Sequence, residues 1–167
     1  FDELLGGAIF DAPARAIAFI ASAGVNSFGP VENTSYDDFD WLIGVNLGGV
    51  INGMVTFVPR MIASGRPGHI VTTSSLGGLM GSAFAAPYSA AKAAVINLME
   101  SYRQGLEKYG IGVSVLCPAN IKSNIAEASR LRPAQFGKSG YVENEETVAS
   151  LHSIHVHGME PVQLAEY

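Results

Sequence analysis

Three short apolar runs punctuate the chain, and each gives way to small or polar residues. "AIAFIAS" (16–22) passes into "AGVNSFGP", "HIVTTSS" (69–75) into a glycine-rich loop, and "GVSVLC" (112–117) stops at Pro118. Each run reads as a strand followed by a loop. Between the first two strands, "YDDFDWLIGVNLGGVINGMVTFVPRMIASG" reads as one long helix over 36–64. Ser35 can cap it, and Asp37 and Asp38 are favourable in its first turn. Gly65, Pro67 and Gly68 then break the chain. A second helix is predicted over 87–109, opened by Pro87 and stopped by Gly110.

Nearly continuous apolar strands separated by helices are the mark of βαβ units, with a parallel sheet buried on both faces. The expected class is α/β, a Rossmann-like doubly wound parallel sheet, with 1–167 as one partial domain. Ligands of such sheets bind beyond the carboxyl ends of the strands. Three segments should meet there: "SAGVN", "SSLGG" and "CPANIKS".

Composition narrows the function classes. The 167 residues are enough for one domain with a buried core, and only 15% of them are charged. So low a charge content suits a covered sheet or a large subunit interface. The net charge is −5 and the pI about 5.3, so there is no basic footprint for nucleic acid. Cys117 is the single cysteine, which excludes an internal disulfide and fits the reducing cytoplasm; at a buried strand end it reads as a small hydrophobe. No uninterrupted apolar run approaches the ~18 residues of a membrane span, and no signal peptide opens the chain.

The chemistry concentrates in "SSLGGLMGSAFAAPYSAAK" (74–92). Tyr88 and Lys92, at i and i+4, share one helical face, and Ser75 lies in the loop before them. A free tyrosine, with a pKa near ~10, is a poor base at neutral pH, and a nearby ammonium favours its phenolate. A shift of roughly three units requires about 4 kcal/mol, which Lys92 and a cationic cofactor in a dry pocket are expected to supply. The phenolate can then take an alcohol proton as a hydride leaves the carbon, while a serine hydroxyl holds the oxygen. A Tyr–Lys pair alone is commonly decorative; ordered segments between the right strands give it weight.

The constellation resembles the NAD(P)-dependent short-chain dehydrogenases/reductases over nearly the whole chain. "PYSAAK" matches the family's Tyr-x-x-x-Lys motif, and Ser75 stands at its catalytic serine. "VNLGGV" matches its helix motif, which implies Asn46 as the fourth catalytic member, in a water-linked proton relay to Lys92. The resemblance implies NAD as cofactor, with NADP as the alternative. It also implies cofactor contacts from Ala23, Gly24, Tyr88, Lys92, Pro118, Ile121 (backbone to the carboxamide) and Ser123. Homodimers or homotetramers built through helices 36–64 and 87–109 are expected too, where Gly48, Gly49, Ala90, Ala93 and Ala94 supply small faces.

Three departures accompany the match. Ala21, Ser22, Ala23 and Gly24 replace Asn-Asn-Ala-Gly, and Ala119 replaces a glycine. "FDELLGGAIFDAPA" lacks the family's Thr-Gly-x-x-x-Gly-x-Gly phosphate loop, and "EPVQLAEY" stops as a helix begins. The chain therefore reads as the central and catalytic part of a longer protein, inactive alone. A closer resemblance, in "AGVNSFGPVENTSYDDFDWLIGVNLGGVINGMVTFVPRMIASGRPGHIV" and "YRQGLEKYGIGVSVLCPANIKSNIAEASRLRP", is to bacterial Cα-dehydrogenases of lignin-derived β-aryl ethers. It implies a benzylic alcohol or ketone substrate and a role in lignin degradation. Leu79, Met80 and Phe84 are candidates to line an aryl pocket. His152, His155 and His157 lack acidic or cysteine partners at convincing spacing, so no metal is expected. The acidic run 143–146 reads as a solvated helix start. The alternatives are a fold-retaining binding protein without turnover and a dehydrogenase of another alcohol.

Overall fold

A computed structural model describes residues 7–11, 17–141, 149, 153 and 157–165. His152, His155 and the acidic run 143–146 lie outside them. Four strands form one sheet in the order β1 (Gly7–Asp11), β2 (Ile17–Ala21), β3 (Gly68–Thr73), β4 (Ile111–Leu116). β2, β3 and β4 are parallel, in the register Ile17↔Gly68 and Gly68↔Ile111. They are the three strands expected, each within a residue or two of its predicted bounds. β1 is the exception: it pairs antiparallel with β2, Gly7 opposite Ala21, so the sheet is not parallel throughout.

The predicted long helix is two. α1 (Tyr36–Asn46) and α2 (Gly48–Ser64) meet at Leu47, beside two consecutive glycines that weaken the helix locally. Ser35 caps α1 as expected, in a full capping box with Asp38. Gly65 closes α2 at φ 63°, the left-handed cap conformation that a side chain would strain. α3 (Ala86–Leu106) has Pro87 in its first turn and passes through a 3₁₀ turn to Gly110. A last short helix, α4, covers Pro161–Ala165.

α2 and α3 pack on one face of the sheet. Phe19, Ala21, Ile70, Ile111 and Val113 project from the strands into Val50, Met54, Val58, Met61, Val95 and Met99. Consecutive right-handed crossovers between neighbouring strands put both helices on that side. The opposite face is less covered among the described residues: along β3 and β4, buried positions alternate with accessible ones such as His69, Ser114 and Leu116. The stretch Tyr36–Ser64 is, by length and composition, apolar enough to cross a membrane, which a search for uninterrupted apolar runs misses. Its Trp41, Leu42, Met54 and Met61 are buried in the core instead.

Candidate active site

The parallel strands all end at one edge, and the helix N-termini begin there. A cleft of about 830 Å³ opens at this edge. The three expected segments converge on it: Ser22, Gly24 and Asn26 after β2, Ser74 to Gly77 after β3, and Pro118 to Ile121 after β4. Two hydrogen bonds prolong the β3–β4 pairing into the loops, from Ser74 N to the Leu116 carbonyl and from Leu76 N to the Pro118 carbonyl, both 2.8 Å.

Tyr88 and Lys92 face the cleft from the start of α3. The Ser75 hydroxyl hydrogen-bonds the Tyr88 phenol, and it also accepts from Gly77 N at 3.0 Å. Lys92 is only 4% exposed. Its Nζ donates to the Thr73 carbonyl at 2.9 Å and lies 5.7 Å from the centroid of the Tyr88 ring. The Ser74 hydroxyl donates to the Lys92 carbonyl at 2.8 Å, tying the strand end to α3. A 3₁₀ turn, Leu76–Gly78, presses on the helix here: a Cβ on Gly78 would come within 2.8 Å of the Lys92 backbone.

Asn46, fully buried at the end of α1, clips the backbone of Val25 in both directions. Its Oδ1 accepts from Val25 N and its Nδ2 donates to the Val25 carbonyl, each at 2.9 Å. This clip holds Gly24 beside Lys92: a Cβ on Gly24 would lie 3.1 Å from Asn46 Oδ1 and 3.4 Å from Lys92 Nζ. The side chain of Asn46 is thus committed to the loop that joins it to Lys92, not to Lys92 itself.

Burial dominates the electrostatics of the pair. Burial pushes the Tyr88 phenol above its ordinary value, with the Ser75 hydrogen bond working the other way. Lys92 alone does not offset that burial; the expected lowering invoked a cationic cofactor as well. Burial also pushes the Lys92 ammonium down to about 8, against the opposing influence of Cys117. Both groups pay for their burial in the same sense: each is moved toward its neutral form.

Among the candidate cofactor contacts, Gly24, Pro118, Ile121 and Ser123 line the cleft with Tyr88 and Lys92, and exposed Ala23 does not. Ile121 forms a parallel bridge with Met159. Of the apolar candidates, Met80 lines the cleft; Leu79 and Phe84 are 63% and 56% exposed and lie outside its lining. Sequence reasoning missed the Thr73 carbonyl, which any residue at that strand end would supply, and the wall formed by Leu131 and Leu164. His157 Nδ1 pairs with the Ser153 carbonyl at 2.7 Å, and no metal-ligating cluster occurs among the described residues.

The cleft sets the Lys92 ammonium and the Tyr88 phenol beside the bare backbone of Gly24, a donor set that suits the hydroxyls of a dinucleotide's ribose. Comparison with known proteins points the same way. The short chain dehydrogenase profile matches residues 13–134. The C alpha-dehydrogenase of Sphingobium sp. (strain NBRC 103272 / SYK-6) is 84% identical over 145 residues, covering 87% of this chain and 48% of that protein. The LigD-apo structure from Sphingobium sp. strain SYK-6 aligns at 60% identity with a TM-score of 0.58, over 87% of this chain and 56% of that one. A short chain dehydrogenase/reductase from Burkholderia phymatum in complex with NAD aligns at 31% identity with a TM-score of 0.76, over 87% and 52%. The chain spans about half the length of each of these three relatives.

Proposed function

This chain belongs to the short chain dehydrogenase family, and from that premise we propose that the protein containing it oxidises a secondary benzylic alcohol to the ketone with NAD. The observation that carries the reading is the convergence of Ser75, Tyr88 and Lys92 on one cleft, with the ammonium fixed by Thr73 at the face of the phenol ring.

Ser75 holds the substrate oxygen, and Tyr88 takes its proton through the phenol oxygen. The Lys92 ammonium stands at the face of the phenol ring and would stabilise its phenolate, while Asn46 holds the Gly24–Val25 loop beside it. Gly24, Lys92, Pro118, Ile121 and Ser123 hold the cofactor, which when bound supplies the hydride acceptor and a positive charge that favours the phenolate. Burial favours the neutral Tyr88 phenol, and the positive charge of a bound cofactor would favour the phenolate instead. NAD rather than NADP is favoured by the likeness to a relative solved in complex with NAD.

The substrate proposal rests on the 84% identity to a C alpha-dehydrogenase: an arylglycerol-β-aryl ether, oxidised at Cα, in lignin degradation. The cytoplasm is the proposed location, and a homodimer or homotetramer the proposed assembly. The test follows reduced-cofactor absorbance with the whole protein and its Tyr88→Phe variant on such an ether. The parent should produce the ketone, and the variant should lose on the order of 10³-fold or more in turnover with cofactor affinity kept. A variant with near-normal turnover refutes the site. A parent that ignores aryl ethers but oxidises other alcohols refutes the substrate, and one that oxidises none favours a binding protein.

A further inference from the structure

One wall of the cleft has no α-helix or strand of its own. Between Pro118 and Tyr141 the regular elements are 3₁₀ turns, Ile125–Leu131 and Ala134–Phe136, with a single bridge at Ile121. Yet Ile121, Ser123, Asn124, Ile125, Ala128 and Leu131 all line the cleft. Short 3₁₀ pieces have poor hydrogen-bond geometry and hold themselves weakly. The wall's position must therefore be set by what fastens its ends.

Its downstream end is fastened to the first turn of α1. Arg132 Nη1 donates to Asp38 Oδ1 at 2.7 Å, with the two side chains 8% and 0% exposed. The same guanidinium donates from Nη2 to the Phe136 carbonyl at 2.8 Å and from Nε to the Gly137 carbonyl at 3.2 Å. It also lies 5.3 Å from the centroid of the Trp41 ring. Asp38 accepts in addition from the Ser139 hydroxyl at 2.7 Å, from Gly140 N at 3.1 Å and from Ser35. Beyond it, the Tyr141 hydroxyl meets Thr34 Oγ1 at 2.9 Å while its ring covers Gly29. Gly29 N in turn donates to the Phe84 carbonyl at 2.9 Å, in the loop that opens onto Tyr88.

A capping box explains an acidic residue at position 38, but it does not call for an arginine from 94 positions away. Stability is a weak rationale as well, since a buried ion pair can often be replaced by apolar residues without loss. What a planar guanidinium adds is direction: three acceptors in two segments are read at fixed angles.

We propose that Asp38 and Arg132 form a positioning clasp. It sets where residues 121–131 stand across the cleft and thereby sets the affinity for the alcohol. This rests on the reading of the cleft as the substrate site. Neither residue touches the reacting atoms.

The test compares the whole protein with Asp38→Asn, Arg132→Met and Arg132→Lys, each well below its unfolding temperature. Asp38→Asn keeps an acceptor for the capping box. In Asp38→Asn and Arg132→Met, KM for an aryl alcohol should rise about tenfold or more, while kcat and KM for NAD stay within about threefold. Arg132→Lys keeps the charge but loses the fork, and should fall between them and the parent. Amide hydrogen exchange should quicken across 121–141 and stay unchanged in β3 and α3. Variants that melt earlier yet keep the parent's KM and exchange pattern overturn the clasp and leave plain structural support. Equal rises in KM for alcohol and NAD overturn it too. If the parent oxidises no aryl alcohol, the substrate reading fails by itself, and exchange across 121–141 still supports or overturns the clasp.

Discussion

Lys92 works against the stability of the fold that holds it. Its value of about 8, against an ordinary 10.5, means that between those pH values the unfolded chain binds a proton the folded one does not. Stability therefore rises as pH climbs from about 8 to about 10.5, and the full cost of burial, about 3 kcal/mol, is present below 8. Lys92→Met removes that cost but leaves the Thr73 carbonyl without its donor. A net stabilisation of about 1–2 kcal/mol at pH 7 is expected, with turnover lost. Thermal unfolding at pH 7 to 10 checks it: the variant's advantage should shrink as pH rises, and a constant difference would refute the assignment. The Tyr88–Lys92 pair was legible because helical spacing fixes which residues share a face. The direction of the Tyr88 shift was not legible, because spacing says who is near and nothing about how dry the site is. Arg132 was hidden for a related reason: its partner Asp38 already had a sufficient local explanation, and no local pattern links the two.

At the scale of elements, local signals served where they were strong. Ser35, Pro87 and Gly110 marked helix ends correctly, because caps and left-handed stops are decided within a turn. The division of the long helix at Leu47 turned on two glycines inside an otherwise continuous apolar pattern. β1 exists by pairing with β2, a non-local fact for which "GAIFD" carries little signal. The approach of α2 to the sheet is legible only in space: a Cβ on Gly53 would run into the Phe19 ring, itself tilted at 37° against Phe57 with ring centroids 4.8 Å apart. Gly53→Ala should cost about 1–3 kcal/mol through overpacking. Gly44→Ala in α1, where no atom lies within 4 Å of the new methyl, should instead stabilise by about 0.5–1 kcal/mol. Urea unfolding of the two variants checks the pair, and the same sign for both would contradict the packing described.

The whole molecule presents an apolar stripe along α1 and α2. Tyr36, Phe39, Ile43, Ile51 and Val55 are all at least 36% exposed, and they recur at the spacing of one helical face. A stripe of this kind fits a closed, symmetric interface between copies. Val55, 65% exposed, can change without disturbing the core, so Val55→Asp should shift the whole protein toward monomer with its fold intact. Light scattering at micromolar concentration decides it, and a parent that is already monomeric sinks the assembly. At the rim of the cleft two loops are joined by main chain. Gly29 N binds the Phe84 carbonyl and Val31 N binds the Ala83 carbonyl, so the loops after β2 and before α3 are stitched by atoms that every residue type carries. The side chains of Val31, Ala83 and Phe84 are thereby released from holding the cleft's rim together, whereas Gly29, pressed under Tyr141, is not. Over evolutionary time the rim can be rewritten residue by residue. Drift at these three positions then leaves the stitch between the loops, and the placing of Tyr88 and Lys92 beneath it, untouched.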